Sequence, residues 1–193
     1  MEQVVPSHKN FFYPSGGILM WLIIIIEMGT FGLALVGLML EAGKDPELYH
    51  QSRLQLNTMY GAINTIFLLS SGYCMAMAVQ HFKAAAYKLS VRFILLAMLG
   101  GALFIILKAI EYAQKLEAGW DLSSNMFFTF YWLLTGFHLV HVLVGLVMLA
   151  WLAYTIKKKK EGAKQEDVEA AAAFWHMCDI IWLILFPTLY LIL

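Results

Sequence analysis

Two histidines lie three residues apart in a long apolar segment, and their spacing could serve metal or haem chemistry. His138 and His141 occur in TGFHLVHVLVG, and residues three apart on a helix share one face. Two such imidazoles could bind a metal ion or act as separate haem ligands. They could not both ligate one haem, because its axial ligands come from opposite faces of the ring. The scarcity of metal sites favours neutral, hydrogen-bonded histidines, so no metal site is predicted.

Carboxyl groups occur in two further apolar segments. Glu27 lies in LIIIIEMGTFG, and Asp179 follows His176 by three residues in FWHMCDIIW. A charged side chain at mid-bilayer costs about 2.5–3.5 kcal/mol on insertion scales, so such residues face the protein interior, a cavity or a partner. For Glu27, a structural hydrogen bond and a proton-linked role are both open. Glu27, His138, His141, His176 and Asp179 could converge in one buried polar network, in which each member offsets the desolvation of the others.

A lysine and a glutamate form a third pair with the same spacing. Lys108 and Glu111 occur in LKAIEYAQKL, near one end of an apolar segment. Because a long lysine side chain can extend towards lipid headgroups, an ordinary ion pair is expected there. The two cysteines, Cys74 and Cys178, lie in apolar stretches and are interpreted as packing residues. Nothing in the sequence has the arrangement of a hydrolytic triad, a phosphate loop or a cysteine metal cluster.

The composition indicates that lipid, rather than water, surrounds these residues. The chain has 193 residues, of which 61% are hydrophobic and 13% are charged, whereas soluble domains average about 45–50% and about 25%. The formal net charge is zero, which argues against nucleic acid as a partner. The first apolar stretch is long and carries Glu27, so it is interpreted as a retained helix rather than a removable signal peptide.

Five apolar segments are long enough to cross a bilayer, which takes about 20 residues. They predict an all-α integral membrane bundle, a single transmembrane domain over residues 1–193 with short connections. Pro187 is expected to kink or fray the last turns of the fifth helix. The predicted helices span about 17–40, 58–79, 91–113, 126–156 and 171–193.

The distribution of Lys and Arg predicts the orientation. Nine of these cations collect at the end of the bundle that contains the amino terminus, whereas the other end has only Lys44, Arg53 and Lys115. This asymmetry predicts the amino terminus inside the cell and the carboxyl terminus outside. The run of lysines at 157–160 follows an apolar segment directly, so a stop-transfer anchor is favoured over a nucleic-acid patch. The nine cations are Lys9, Lys83, Lys88, Arg92, Lys157, Lys158, Lys159, Lys160 and Lys164.

Glycines within the predicted helices are expected to face other helices, because helices in lipid associate by close packing at small residues. They are Gly29, Gly32, Gly37, Gly100, Gly101, Gly136 and Gly145.

Two of these motifs, in this order, resemble subunit III of the haem–copper oxidases. TGFHLVHVLVG resembles the TGxHxxHVxxG pattern of the subunit III of cytochrome c and quinol oxidases, and FWHMCDIIWLILF resembles that family's WHFxDxVWLxLF element. Glu27 falls where the family carries a buried glutamate, and LKAIEY matches a pattern that usually reads QxxEY, with Lys108 as the departure. The resemblance implies the five-helix bacterial form, which lacks the first two helices of seven-helix members.

The resemblance implies a non-catalytic subunit with no cofactor of its own, while haem and copper lie in partner subunits. It would pack against subunit I, which reduces dioxygen to water and pumps protons, alongside subunit II and other respiratory-complex subunits in the bacterial inner membrane. Its implied roles are to stabilise subunit I, bind phospholipid and support proton uptake. Gly136, Gly145, Trp175 and Trp182 would be structural, and Lys83, Lys157 and Lys158 would meet lipid headgroups.

Three other functions are alternatives on the sequence. One lies within the family, an accessory subunit of a nitric oxide reductase, whose chemistry would also reside in another polypeptide. Another is a membrane redox protein that binds haem through His138 or His141 together with His176. A small proton-linked transporter built around Glu27 is disfavoured, since the sequence has no inverted repeat or pair of broken helices. The two matched motifs favour the oxidase subunit.

Overall fold

Six α-helices and one π-helical turn form the part of the chain that the computed structural model describes, residues 16–158 and 163–193. The helices are α1 (Ile18–Ala42), α2 (Pro46–Arg53), α3 (Thr58–Lys83), α4 (Tyr87–Glu117), α5 (Met126–Lys158) and α6 (Gln165–Pro187), and the π-helical turn is Thr188–Ile192. Five of them, all but α2, are long and apolar enough to cross a membrane. The predicted five-span bundle is therefore confirmed.

The short helix α2 is absent from the sequence-based prediction, which expected only a short connection at this position. Its amino-terminal cap is Asp45, whose carboxylate accepts a hydrogen bond from the Leu48 backbone N–H at 3.1 Å. Pro46 occupies the first turn, where its missing N–H costs nothing. Tyr49 is buried edge-on against the Phe127 ring, with 5.7 Å between centroids. Helix α2 thus covers one end of the bundle, which we call the α2 end.

Helices α3 and α4 form a tight antiparallel hairpin joined at residues 84–86. Hydrogen bonds from two buried serines connect the helices. The Ser71 hydroxyl donates to the Ala97 carbonyl at 2.6 Å, and the Ser90 hydroxyl donates to the Ala78 carbonyl at 2.8 Å. A side chain at Gly100 would lie 2.8 Å from the Ser71 Cβ. The small residue and the two hydroxyls let the backbones approach closely, as helices in lipid require.

Beyond α6 the chain does not fray, although Pro187 ends the α-helix. Residues Thr188–Ile192 continue as a wider π-helical turn, which accommodates the proline's lack of an N–H. Arg53 of α2 donates from Nη1 to the Leu191 carbonyl at 3.1 Å. The turn therefore stays anchored at the α2 end and holds Tyr190 in the bundle interior, where that side chain is 1% exposed.

Helix α1 is the least enclosed of the five spans. Only Phe31, Leu38 and Ala42 are buried along its 25 residues, and Leu33 is 76% exposed. A long apolar face of α1 is thus open on the surface of the chain.

The glycines divide into two groups, of which only one lies against other helices within the described residues. Gly100, Gly101 and Gly145 lie against neighbouring helices, and Gly37 makes an ordinary contact with the Phe130 ring. Gly29, Gly32 and Gly136, by contrast, have no other described part of the chain within 4 Å of an added Cβ.

Candidate functional site

Trp175 joins four of the five spans. The ring lies on α6, is fully buried, and donates from Nε1 to the Ser71 hydroxyl of α3 at 3.0 Å. Its six-membered ring fills the space left by two glycines: an added Cβ would lie 2.6 Å from the ring at Gly101 of α4 and 2.7 Å at Gly145 of α5. Both glycines are therefore required for the ring to sit between these helices.

About two turns away, before Gly145 on α5 and after Trp175 on α6, His138 and Trp182 form a second aromatic layer. The two rings are stacked with 5.5 Å between centroids, and Phe104 meets both of them edge-on. The Trp182 Nε1 donates to the Thr65 hydroxyl at 3.0 Å. His138 is fully buried, and neither of its ring nitrogens has a hydrogen-bond partner within the described residues. The expected hydrogen bond of His138 to another helix is thus missing, and aromatic packing takes its place.

Glu27 pairs with His141 across α1 and α5. The Glu27 Oε2 lies 3.2 Å from the His141 Nε2, and the side chains are 24% and 10% exposed. The other ring nitrogen, Nδ1, lies 2.8 Å from the Phe137 carbonyl. A carbonyl only accepts, so Nδ1 carries a hydrogen and Nε2 faces the carboxyl group. One proton between Nε2 and Oε2 then satisfies both atoms, whichever of them holds it.

His176 and Asp179 form a separate pair on α6. The His176 Nδ1 lies 3.2 Å from the Asp179 Oδ2, and the Asp179 side chain is 8% exposed. The carboxylate lies directly against Gly72 of α3, where any Cβ would collide with Oδ2. The other oxygen, Oδ1, has no hydrogen-bond partner in the described part of the chain. Gly72 therefore lets α3 and α6 approach with a carboxylate between them.

Lys108 and Glu111 are paired, but the expectation that Lys108 extends to the headgroups is wrong. The lysine side chain is 0% exposed, and its Nζ lies 3.0 Å from the Glu111 Oε2. The ammonium also donates to the Tyr190 hydroxyl at 2.7 Å and to the Tyr131 hydroxyl at 3.2 Å. The Tyr190 hydroxyl in turn donates to the Glu111 Oε1 at 2.7 Å. All three ammonium donors are therefore satisfied, as a buried ion pair requires.

Aromatic faces complete the surroundings of the ammonium. Its Nζ lies 4.8–5.4 Å from the centroids of the Tyr112, Tyr131, Trp182 and Tyr190 rings. These rings come from α4, α5, α6 and the π-helical turn, so the cation attracts four elements at once. We call Lys108, Glu111, Tyr131 and Tyr190 the lysine cluster. The two tyrosines were not identified from the sequence, because nothing local to either of them signals a partner on another helix.

The five polar residues expected to converge do not form one hydrogen-bonded network in the described residues. They divide into the Glu27–His141 pair, the His176–Asp179 pair and the unpartnered His138. His138 nevertheless connects the Glu27–His141 pair and the lysine cluster through the aromatic rings that contact it. Phe31 meets both His138 and His141 edge-on, and Trp182 stacks on His138 while facing the Lys108 ammonium.

The basic residues predicted to meet lipid headgroups lie at the end opposite α2, which we call the basic end. Lys83 forms an ion pair with Glu169 at 2.8 Å. Lys158 donates to the Tyr154 hydroxyl at 2.9 Å, and Lys157 is exposed beside it. Lys159 and Lys160, like Lys9, lie outside the described residues. No group of three or more His, Cys, Asp or Glu within residues 16–158 and 163–193 could hold a metal ion.

The two aromatic layers and the histidines of both motifs lie within a segment that a known family shares. The family model of cytochrome c oxidase subunit III matches residues 56–192. The chain belongs to this family. Subunit III of the haem–copper oxidases is thus the assignment that the motifs predicted, and the family match includes the lysine cluster as well as Gly72 and Trp175.

Individual subunit III relatives support the same assignment. A cytochrome c oxidase subunit 3 of Corynebacterium diphtheriae is 31% identical over 138 residues, which are 71% of this chain and 67% of the relative. One of Prototheca wickerhamii is 32% identical over 129 residues, 66% of this chain but 48% of the relative. The chain therefore spans about half the length of some of the curated relatives it matches. These names give no support to the nitric oxide reductase or haem-binding interpretations.

A fused relative extends the similarity towards the amino terminus. The haem–copper oxidase subunit I+III of Aeropyrum pernix is 26% identical over 180 residues, which are 90% of this chain and 22% of the relative. A match over 90% of this chain extends beyond residues 56–192 and includes α2 and most of α1.

Replacing Lys108 by Met is expected to destabilise this subunit III chain by about 3–5 kcal/mol, because Glu111 then becomes a buried charge without its partner. Lys108→Gln keeps amide donors for Glu111 and should cost less. Lys44→Met is the matched control, since Lys44 and Glu41 form an i,i+3 pair at an exposed site, where a loss of only about 0–1 kcal/mol is expected. Thermal unfolding of the purified variants in detergent measures the stability that each variant loses. Equal losses for Lys108→Met and Lys44→Met would contradict the structure.

The two motif glycines of α5 should respond in opposite ways to alanine. Gly145→Ala places a methyl group against the buried Trp175 ring, and overpacking of this kind costs about 1–3 kcal/mol. Gly136→Ala meets open space and should leave stability unchanged or raise it by about 1 kcal/mol, because alanine is the better helix former. Unfolding of the isolated chain, followed by tryptophan fluorescence, compares them. A destabilised Gly136→Ala variant beside an unaffected Gly145→Ala variant would refute this account of the packing.

Proposed function

We propose that this chain is a non-catalytic subunit of a haem–copper terminal oxidase that stabilises subunit I, binds phospholipid and supports proton uptake while dioxygen is reduced to water. The family match over residues 56–192 is the observation that carries the proposal. The haem and copper would lie in partner subunits, and subunit II would belong to the same respiratory complex. The membrane would be the bacterial inner membrane, with the amino terminus and the basic end on the cytoplasmic side.

Association with subunit I is supported by the open face of α1. Glu27 lies near the middle of α1, and about a quarter of its side chain is exposed. Lipid contact at this depth would cost several kcal/mol if the group were charged, so a protein surface is the favourable neighbour. Gly29 and Gly32 follow on the same helix with open space around them, and small residues permit close helix approach in lipid. In the Aeropyrum pernix relative, by its name, subunits I and III are parts of one chain.

A proton-linked role for Glu27 is supported by its bond to His141. The His141 ring is held by the Phe137 carbonyl, so one proton shared between Nε2 and Oε2 satisfies the pair. Movement of this proton between Nε2 and Oε2 leaves the net charge of the pair at zero, and its release to a neighbouring group leaves one negative charge on the pair until a new proton is taken up. Proton transfer to or from the subunit I surface through Glu27 is the corresponding role in the complex.

Isolation of the complex, together with site-specific crosslinking, tests the proposed association. The chain is solubilised from its native membrane in mild detergent through a carboxyl-terminal tag, and copurifying chains are identified by mass spectrometry. A photocrosslinking amino acid at Leu33 of α1 should capture subunit I. The same group at Leu99 of α4, which is 55% exposed, serves as the control and should not. Purification of the chain alone, without subunit I or oxygen consumption, would overturn the proposal.

Glu27→Gln tests the proton-linked part. Glutamine keeps a hydrogen bond to His141 but cannot release a proton, so assembly should persist while proton uptake slows and activity decays sooner during turnover. Glu41→Gln, which removes a partly exposed carboxyl from the end of the same helix, is the control. Oxygen consumption over many turnovers and proton release from vesicles are measured. Unchanged turnover, pumping and operational lifetime in Glu27→Gln would exclude a proton-linked role and leave the assignment as a subunit intact.

A further inference from the structure

A groove of about 680 Å³ lies between α4 and α5 at the basic end. Its α4 wall runs from Tyr87 to Met98, and its α5 wall runs from Ala150 to Lys157. Sites for small molecules commonly measure about 300–1,000 Å³, so the groove is large enough for a headgroup with part of an acyl chain. It is separate from the aromatic layers and the lysine cluster.

The groove is polar at one end and apolar along the rest of its length. Lys88, Arg92 and Leu95 follow one another at the spacing of a single helix face, and Met98 lies one turn deeper. At a rise of about 1.5 Å per residue, Lys88 and Met98 are about 15 Å apart along α4. That length is about half of a hydrocarbon core of about 30 Å. The groove thus extends from headgroup level towards mid-membrane within one leaflet.

The charges that line the groove within the described residues are all positive. Lys88, Arg92 and Lys157 line it, and no acidic residue is among the lining residues that the structure describes. None of the three forms an ion pair with another described residue, in contrast to Lys83, which is paired with Glu169. The three cations therefore complement an anion at the mouth of the groove, and the apolar walls beyond them complement hydrocarbon.

We propose that this groove binds one anionic phospholipid from the adjacent leaflet. The phosphate lies among Lys88, Arg92 and Lys157, and an acyl chain runs along Leu95, Met98 and Ala150. A lipid with net negative charge is favoured over a zwitterionic one, because the described lining residues include three cations and no acidic side chain that could pair with a positive headgroup. The proposal rests on the lipid-binding part of the proposed function and names the residues that would bind the lipid. Of the three lysines predicted from the sequence to meet headgroups, Lys157 alone lines the groove.

Native mass spectrometry of the delipidated, full-length chain tests the site, with phosphatidylglycerol and phosphatidylcholine as the two probes. One phosphatidylglycerol should bind at least tenfold more tightly than phosphatidylcholine, and added salt should weaken its binding. The variant with both Arg92→Gln and Lys157→Gln should remove most of this preference. Lys164→Gln, an exposed charge at the same end outside the groove, should retain it.

A second pair of variants tests the apolar part of the groove without a change of charge. Ala150→Trp fills the groove from an exposed position and should weaken phosphatidylglycerol binding at least tenfold. Val147→Trp introduces the same side chain on α5 outside the lining residues and should have no effect. Glycerol phosphate at millimolar concentration should fail to compete, because it lacks an acyl chain.

Equal binding of the two lipids, or full phosphatidylglycerol affinity in both Ala150→Trp and the doubly neutralised variant, would overturn the proposal. Competition by glycerol phosphate would replace it with a phosphate-only site. None of these readouts depends on oxidase turnover. A chain that binds phosphatidylglycerol as expected yet does not copurify with subunit I would contradict the proposed oxidase role alone.

Discussion

The packing of one indole ring of α6 against three other helices sets the spacing of four of the five spans. Lipid gives helices no hydrophobic reason to associate, so close packing and polar contacts must hold them together. Trp175 supplies both, because its ring fills the spaces at Gly101 and Gly145 while its N–H reaches Ser71. Ser71 in turn bonds to the α4 backbone. Changes at any of these positions alter the distance between helices that also carry the polar pairs.

The polar side chains inside the bundle are matched locally rather than through one shared network. Lys108 is neutralised by Glu111 and bonded by two tyrosines, whereas His141 is the one partner of Glu27 among the described residues and Glu27 remains partly exposed. The lysine cluster is thus complete within this chain, and its role is to hold α4, α5 and the π-helical turn together. The Glu27 site is open towards whatever covers α1. Chemistry at a subunit boundary is therefore expected at Glu27 and not at Lys108.

Features set by local sequence were predictable, and features set by distant contacts were not. The five spans follow from apolar length, and the Lys108–Glu111 pair follows from i,i+3 spacing on one helix. The burial of Lys108 does not, because it depends on Tyr190, 82 positions away. Whether a glycine faces a neighbour depends likewise on helix rotation, which explains the contrast between Gly145 and Gly136. Helix α2 was missed for a different reason. Asp45, a following proline and a basic last turn are ordinary helix signals, but they are weaker than the signal of the apolar segments on either side.

The lysine cluster also has a consequence for the order of events during biosynthesis. The ribosome delivers α4 to the membrane well before Tyr190 exists, so Lys108 must enter the lipid without that hydroxyl. Glu111 is one turn away on the same helix, and the pair can neutralise itself as soon as α4 forms. Tyr190 and the Leu191 carbonyl, which Arg53 binds across 138 positions, arrive after every earlier span. The short-range pair thus serves as a temporary partner during insertion, and the long-range bonds close the bundle afterwards.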